Sequence, residues 1–144
     1  DQEMGLMKEF KHKSSLIMIE LSRDLKKSVK NEKAIILMTR TLARLLLKTS
    51  RRSDIVAHYG NGVFSMLLKH TDLESAKKTS ERLCDLVANS NFFLADREIQ
   101  LKIAIGITNI DAVYSSEEII VSAMNGIEKA YEDSKIDYAV SLRE

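Results

Sequence analysis

Apolar positions along the chain follow two periods, one typical of strands and one typical of helices. Leu16–Leu21 is a short apolar run, which predicts a buried strand. Ile99–Ile107 alternates apolar residues with other residues, the period of a strand with one buried face. Ala34–Lys48 is rich in leucine and carries polar residues at helical spacing, which predicts an amphipathic helix.

Two capping-box spacings predict where further helices begin. Thr71–Glu74 precedes a pattern that should remain helical to about Ala88. Ser115–Glu118 precedes apolar residues at helical spacing that continue to Ala130. Asp137–Leu142 is interpreted as a short closing strand.

The strongest local signal is a predicted hairpin. Asp54–Tyr59 and Val63–Leu68 are strand-like runs joined across Gly60, Asn61 and Gly62. A tight primed turn needs residues that tolerate positive φ, so Asn-Gly between such runs favours a hairpin. The full order is strand, helix, hairpin, helix, strand, helix, strand. It predicts an α+β fold with a mostly antiparallel central sheet flanked by helices.

Composition narrows the class of protein. The 144 residues, 44% hydrophobic and 30% charged, are typical of one globular domain spanning 1–144. A net charge of +1 indicates neither nucleic-acid binding nor membrane contact. The single cysteine, Cys84, is expected to be a small buried residue in a reducing, cytoplasmic setting. Since the chain begins at Asp1, we expect a domain excised from a longer multidomain protein.

Six short stretches carry a further signal through their order and spacing: Asp1–Leu6, Ile17–Ser22, Ser53–Gly60, Thr71–Ala76, Glu81–Leu83 and Ile103–Ile107. Taken together, they resemble the GGDEF domain family of diguanylate cyclases. The resemblance covers nearly the whole chain and implies a palm-like fold with a ferredoxin-like core. The segment between Leu6 and Leu16 is shorter than in the family, so we expect a truncated N-terminal helix.

The resemblance places the family's Gly-Gly-Asp/Glu-Glu-Phe signature loop at Gly60, Asn61, Gly62, Val63 and Phe64. Gly62 and Val63 then stand where the family has two acidic residues. Two-metal phosphoryl transfer needs several carboxylate oxygens, and only Glu20 remains. We interpret Glu20 as a solvated acid at a strand end and expect no catalytic residue, metal site or cofactor.

Substrate-binding positions implied by the resemblance are altered as well. The family's guanine-reading Asn and Asp fall near Ser28 and Ile36, and its phosphate-contacting Lys falls at Tyr131. Lys135 stands for a basic residue a few positions further on. We therefore expect no diguanylate cyclase activity.

A second site implied by the resemblance is retained. Arg51-Arg52-Ser53-Asp54 matches the family's Arg-x-x-Asp inhibitory motif, which binds cyclic di-GMP, and Arg82 matches a further arginine there. Guanidinium groups pair bidentately with phosphate or guanine, and a carboxylate can accept from the guanine N1 and N2 donors. The alternative is that the arginines only favour a helix C-terminus or a solvated surface.

Two functions therefore stay open for this chain. The first is a catalytically inactive regulatory module in bacterial signal transduction, which binds cyclic di-GMP at Arg51, Asp54 and Arg82. It would act on attached sensor or effector domains, for example by forming a homodimer. The second is a structural dimerisation or protein-interaction module without a nucleotide. Residual cyclase activity and GTP binding without turnover are less favoured. Remaining candidates are interpreted as structural: isolated histidines, solvated lysine pairs and core methionines (His12, His58, His70, Lys26–Lys27, Lys77–Lys78, Met18, Met38, Met66 and Met124).

Overall fold

The computed structural model describes residues 14–111, 113–133 and 136–141. Within these residues the helices are α1 (Arg23–Val29), α2 (Glu32–Thr49), α3 (Leu73–Ala88) and α4 (Ser116–Glu132). The strands are β1 (Ser15–Leu21), β2 (Ile55–Gly60), β3 (Val63–Leu68), β4 (Asn91–Leu94), β5 (Arg97–Gln100), β6 (Ile103–Asn109) and β7 (Tyr138–Val140). The predicted α+β class with a mostly antiparallel sheet is confirmed.

The central sheet has five strands in the order β2-β3-β1-β6-β7. All pairs are antiparallel except β6 with β7. β4 and β5 form a separate two-stranded sheet. The predicted hairpin is present as β2 and β3, and β2 lies at the edge of the main sheet.

The two faces of the sheet are covered by different helices because alternate side chains of a strand point to opposite faces. Ile17, Ile19 and Leu21 of β1 belong to one apolar cluster, together with residues of α2 and α3. Leu16 and Met18 belong to a second cluster with α4. One of the two predicted capping boxes is present: Ser115 and Glu118 form it at the start of α4. Helix α3 is instead capped by Asp72, one residue after the predicted Thr71.

Helix α4 approaches β6 closely enough to require glycine at two positions. A Cβ added at Gly106 would overlap the Ala123 carbonyl oxygen and lie 2.6 Å from the Ile127 nitrogen. A Cβ added at Gly126 would lie 2.8 Å from the Gly106 Cα atom. These two residues therefore set the depth at which α4 packs on the sheet.

The structure corrects the predicted long strand over Ile99–Ile107. The alternation continues through two strands, but the ladder is interrupted at Leu101 and Lys102, so β5 pairs with β4 while β6 joins the central sheet. The Lys102 carbonyl instead accepts from the Ser22 backbone N–H at 2.8 Å. Periodicity shows which face of a strand is buried, not which strand is its partner.

Two elements were not predicted, α1 and β4. Helix α1 has no fully buried residue, and its apolar pattern is limited to Leu25 and Val29, which pack partly buried against the first apolar cluster. Its signals are local: Ser22 caps its N-terminus, and Lys30 ends it with φ +50.

Within the closing strand β7 the structure describes Tyr138–Val140. Leu142 lies outside the described residues, as do Asp1–Leu6, His12 and Lys135.

Candidate functional site

The β2–β3 turn has the backbone conformation that its sequence predicts. Gly60, Asn61 and Gly62 all have positive φ, at +88, +53 and +76. The next residue, Val63, lies opposite Glu20 of β1 in the sheet register. The loop therefore ends beside the retained acid without bringing a second carboxylate to it.

Glu20 is not the solvated strand-end acid that we expected from the sequence. It is only 6% exposed. Its Oε1 accepts hydrogen bonds from Arg23 Nε and from the Tyr131 hydroxyl, both at 2.9 Å. Lys26 Nζ lies 3.5 Å from Oε2. Because α1 begins two residues after the end of β1, its side chains Arg23 and Lys26 lie over the Glu20 carboxylate.

Arg23 extends this arrangement to the far end of α4. Its Nη1 and Nη2 donate to the two carboxylate oxygens of Glu128 at 3.1 and 2.5 Å. Its guanidinium carbon lies 4.5 Å from the centre of the Tyr131 ring, a cation–π distance. Glu20, Arg23, Lys26, Glu128 and Tyr131 are referred to below as the Glu20 network.

The pKa values of the network reflect these contacts. The hydrogen bond from Arg23 lowers the pKa of Glu128, and the same bond is the main cause that raises the pKa of Arg23. Burial raises the pKa of Tyr131 above its usual range, and the hydrogen bond to Glu20 raises it further. The phenol therefore stays protonated and donates to the carboxylate at neutral pH.

The environment of Lys26 also differs from the expectation, because the sequence analysis interpreted the Lys26–Lys27 pair as solvated. The Lys26 side chain is only 11% exposed. Its ammonium group donates to the Asn61 carbonyl at 2.9 Å as well as facing Glu20. A side chain of α1 thus connects the signature turn to the retained acid. In the part of the chain that the structure describes, no group of three or more His, Cys, Asp or Glu residues could hold a metal ion.

Ser28 and Ile36, near which the resemblance places guanine-reading residues, offer little to a base. Ile36 is 52% exposed and lines a cleft of about 610 Å³ between α2 and the hairpin. The Ser28 hydroxyl donates to the Leu25 carbonyl within its own helix at 2.9 Å. His58 lines the same cleft as Ile36 and stacks on Phe64 with ring centres 4.5 Å apart.

Arg51 and Asp54 are held together at the start of the hairpin. The Asp54 carboxylate accepts from the Arg51 backbone N–H at 2.8 Å and from Nη2 at 3.2 Å. The same Nη2 donates to the Thr71 hydroxyl at 2.7 Å and to the Lys69 carbonyl at 3.2 Å. All hydrogen bonds of this guanidinium among the described residues use Nη2. The side chain is thereby oriented while more than half of it remains exposed.

Two of the three residues that the sequence proposes as a ligand site, Arg51 and Arg82, line one cavity. The cavity has a volume of about 570 Å³. Its lining is mainly basic and hydroxylic, comprising Arg51, His70, Thr71, Ser75, Lys78, Thr79, Glu81 and Arg82. It is called the Arg51 cavity below. Asp54 is not part of the lining, and its side chain is only 4% exposed.

Sequence reasoning missed several residues of the Arg51 cavity. Ser75, Lys78, Thr79 and Arg82 form one stripe of α3 at helical spacing. That spacing was the available signal, but a polar stripe on a helix usually indicates only a solvated face. Glu81 lies in the same wall, and its Oε1 accepts from the Tyr138 hydroxyl of β7 at 2.5 Å.

Structural interpretations of the remaining candidates are mostly confirmed. Met18, Met38 and Met66 are buried, and Met124 packs against the second apolar cluster. Cys84 is half-buried against the first apolar cluster, and burial raises the pKa of its thiol to about 12. Across the described residues, none of the helices has both the length and the apolar character needed to cross a membrane.

Comparison with known proteins agrees with this architecture. The family model described as "Diguanylate cyclase, GGDEF domain" matches residues 35–135. The chain belongs to the GGDEF domain family.

Individual relatives are distant or partial. The probable diguanylate cyclase DgcE of Escherichia coli (strain K12) is 34% identical over 74 residues, which are 51% of this chain and 7% of that protein. This chain thus spans only a small part of that relative. The FimX GGDEF domain from Pseudomonas aeruginosa has a TM-score of 0.76 at 21% identity, covering 92% of this chain and 82% of the other. The GGDEF domain of DgcB from Caulobacter crescentus, in complex with c-di-GMP, has a TM-score of 0.77 at 11% identity, covering 90% of this chain and 77% of the other.

Proposed function

We propose that this domain is a catalytically inactive GGDEF domain that serves as a regulatory module and receives cyclic di-GMP in the Arg51 cavity. In this proposal it acts in the cytoplasm of a bacterium and passes the signal to attached sensor or effector domains. The observation that carries the proposal is the convergence of Arg51 and Arg82 on one basic cavity, at the opposite side of the hairpin from a turn without carboxylates.

The Glu20 network supports the absence of catalysis. A divalent ion needs several oxygen ligands, and here the one retained carboxylate is already neutralised by Arg23 and Lys26. A metal ion at Glu20 would have to displace these two cations and the Tyr131 hydroxyl. Gly62 and Val63 supply no side-chain oxygen in compensation.

The Arg51 cavity supports binding of a cyclic dinucleotide. Three cationic side chains, Arg51, Lys78 and Arg82, line it together with the hydroxyls of Thr71 and Thr79. Charge-assisted hydrogen bonds to phosphate are stronger than neutral ones. The bonds from Arg51 to Asp54 and Thr71 already fix its orientation, which reduces the entropy lost on binding.

Calorimetric titration of the domain with cyclic di-GMP tests this proposal. We expect saturable heat for the native chain and at least about a tenfold weaker affinity for Arg51→Ala, because charge-assisted contacts are lost. Arg52→Ala is the matched control, since it removes the same charge from the adjacent residue, which does not line the cavity. No saturable heat at micromolar concentrations of the native chain would refute ligand reception.

Incubation with GTP and either Mg²⁺ or Mn²⁺ tests the absence of catalysis separately. We expect no cyclic di-GMP in the products, detected by mass spectrometry. Product that disappears in Glu20→Gln would show that the retained carboxylate still supports turnover and that the Glu20 network opens during the reaction.

A second candidate is the interaction module without a nucleotide, which is favoured by the exposed side of α2. Ile36, Leu37 and Leu47 are exposed there, and Phe93 of β4 is exposed as well. Sedimentation velocity of the native chain and Leu37→Ser tests this candidate, with Val121→Ser on α4 as an exposed apolar control. Concentration-dependent association lost only in Leu37→Ser, without any cyclic di-GMP binding, would favour this function.

A further inference from the structure

The Arg51 cavity contains one carboxylate, and it is not the one that the Arg-x-x-Asp motif suggests. Asp54 is almost completely covered and accepts both the backbone N–H and the Nη2 of Arg51. Glu81 instead stands in the cavity wall beside Arg82. The position of the two acids therefore separates two tasks, orientation of Arg51 and contact with a ligand.

Glu81 is held in place by a residue outside the cavity lining. The Tyr138 hydroxyl donates to its Oε1 at 2.5 Å, and this hydrogen bond raises the pKa of Tyr138 to about 12. A carboxylate can accept about four hydrogen bonds, so the bond from Tyr138 leaves acceptor sites on Oε2. β7 thus orients a carboxylate that can still bind a ligand.

A carboxylate in a basic cavity suits only some anionic ligands. A simple phosphate would be repelled by Glu81, since like charges in one site disfavour each other. A guanine base presents two adjacent donors, N1–H and the N2 amino group, which a carboxylate accepts side by side. Adenine presents a donor beside an acceptor on the corresponding edge and does not match. A ligand with both phosphates and guanine satisfies the cations and the carboxylate together.

We propose that Glu81 reads the guanine edge of the ligand in the Arg51 cavity, that Tyr138 positions Glu81, and that Asp54 only positions Arg51. This inference rests on the proposed function, because it assigns the base-reading role within the same cyclic di-GMP site. It assigns to Glu81 the contact that the sequence motif assigned to Asp54.

Calorimetry with three ligands tests the assignment: cyclic di-GMP, cyclic di-IMP, which lacks the 2-amino group, and cyclic di-AMP. Glutamine at 81 has one acceptor and one donor group and cannot accept both guanine donors. For Glu81→Gln we expect a loss of about tenfold to a hundredfold for cyclic di-GMP and a smaller loss for cyclic di-IMP. The preference for cyclic di-GMP over the other two ligands should therefore shrink.

Two matched variants separate base reading from general effects on the cavity. Asp54→Asn should weaken cyclic di-GMP and cyclic di-IMP by the same factor, because it acts through Arg51. Tyr138→Phe should reduce the same preference as Glu81→Gln, but by less. Thermal melting of each variant checks that it is folded, which we expect for exposed Glu81.

The outcomes distinguish this inference from the proposed function. If Glu81→Gln keeps the native affinity and ligand preference while Arg51→Ala loses binding, Glu81 is not the reader and the receptor function stands. If Glu81→Gln weakens all three ligands equally, its role is structural and the assignment is wrong. If the native chain binds none of them, both proposals are refuted.

Discussion

Replacing Tyr131 with phenylalanine removes one oxygen atom from the centre of the Glu20 network. The hydroxyl donates to Glu20 Oε1 at 2.9 Å and accepts from the Arg23 backbone N–H at 3.3 Å. The aromatic ring remains and still lies under the Arg23 guanidinium. The substitution therefore tests the hydrogen bonds of the phenol without opening a large cavity.

The expected cost follows from the kind of bond that is lost. A hydrogen bond to a charged, buried acceptor contributes about 1.5–3 kcal/mol. Arg23 and Lys26 continue to neutralise Glu20 in the variant, and Tyr131 is itself only half-buried, so we expect a loss of about 2 kcal/mol. For a chain of this size that lowers the melting temperature by about 6 °C.

Urea denaturation followed by circular dichroism measures this loss. Tyr59→Phe is the matched control, because Tyr59 is 55% exposed and its hydroxyl lies 3.4 Å from that of Ser65; we expect a change within about 0.5 kcal/mol. A double-mutant cycle with Glu20→Gln should give a coupling energy of about 1–2 kcal/mol. A Tyr131→Phe variant as stable as the native chain, with no coupling to Glu20, would show that the network does not persist in solution.

Two further predictions concern alkaline pH and the packing of α4. The raised pKa values of Tyr131 and Tyr138 keep both phenols protonated in the folded chain at pH values where unfolded tyrosine ionises, above about 10. The contribution of these protonated phenols to the free energy of unfolding is thus complete below pH 10 and is lost above it, for Tyr138 between about pH 10 and 12. In that range the urea midpoint of Tyr138→Phe should fall less steeply with pH than that of the native chain. Gly106→Ala should lower the free energy of unfolding by more than about 3 kcal/mol, because the added Cβ meets the backbone of α4. Gly60→Ala should lower it by about 1 kcal/mol, because Gly60 has open space around it but a positive φ. Equal melting temperatures for the two variants would contradict the close approach of α4 to β6.

Much of the fold could be predicted from local patterns, and the failures have physical causes. The end of α3 at Ala88 and the turn at Gly60–Gly62 followed from periodicity and from residues that tolerate positive φ. The split between β5 and β6 did not, because strand pairing depends on distant segments. Helix α1 was missed because its seven residues contain only two apolar side chains, Leu25 and Val29, which is too short a pattern to indicate a helix.

The candidate sites show the same division. The family resemblance singled out Arg51 and Arg82, and the structure places both on one cavity, whereas their contact with a ligand stays a prediction. The environment of Glu20 was not predicted, because its partner Tyr131 lies more than 100 positions further along the chain. A residue's exposure and charge balance arise from such long-range neighbours, so a strand-end acid cannot be assigned to solvent from its local sequence alone.

The fit of Gly62 against β1 bears on how this chain can change by mutation. Any Cβ at this position would lie 2.9 Å from the Leu21 Cβ atom, and the backbone there has φ +76. A single codon change that places an acid at position 62 therefore lowers stability before it can add a ligand. Leu21 and the two cations of α1 would have to change as well for that acid to be useful. The descendants of this sequence are thus separated from an acidic turn by several steps, of which the first is disadvantageous.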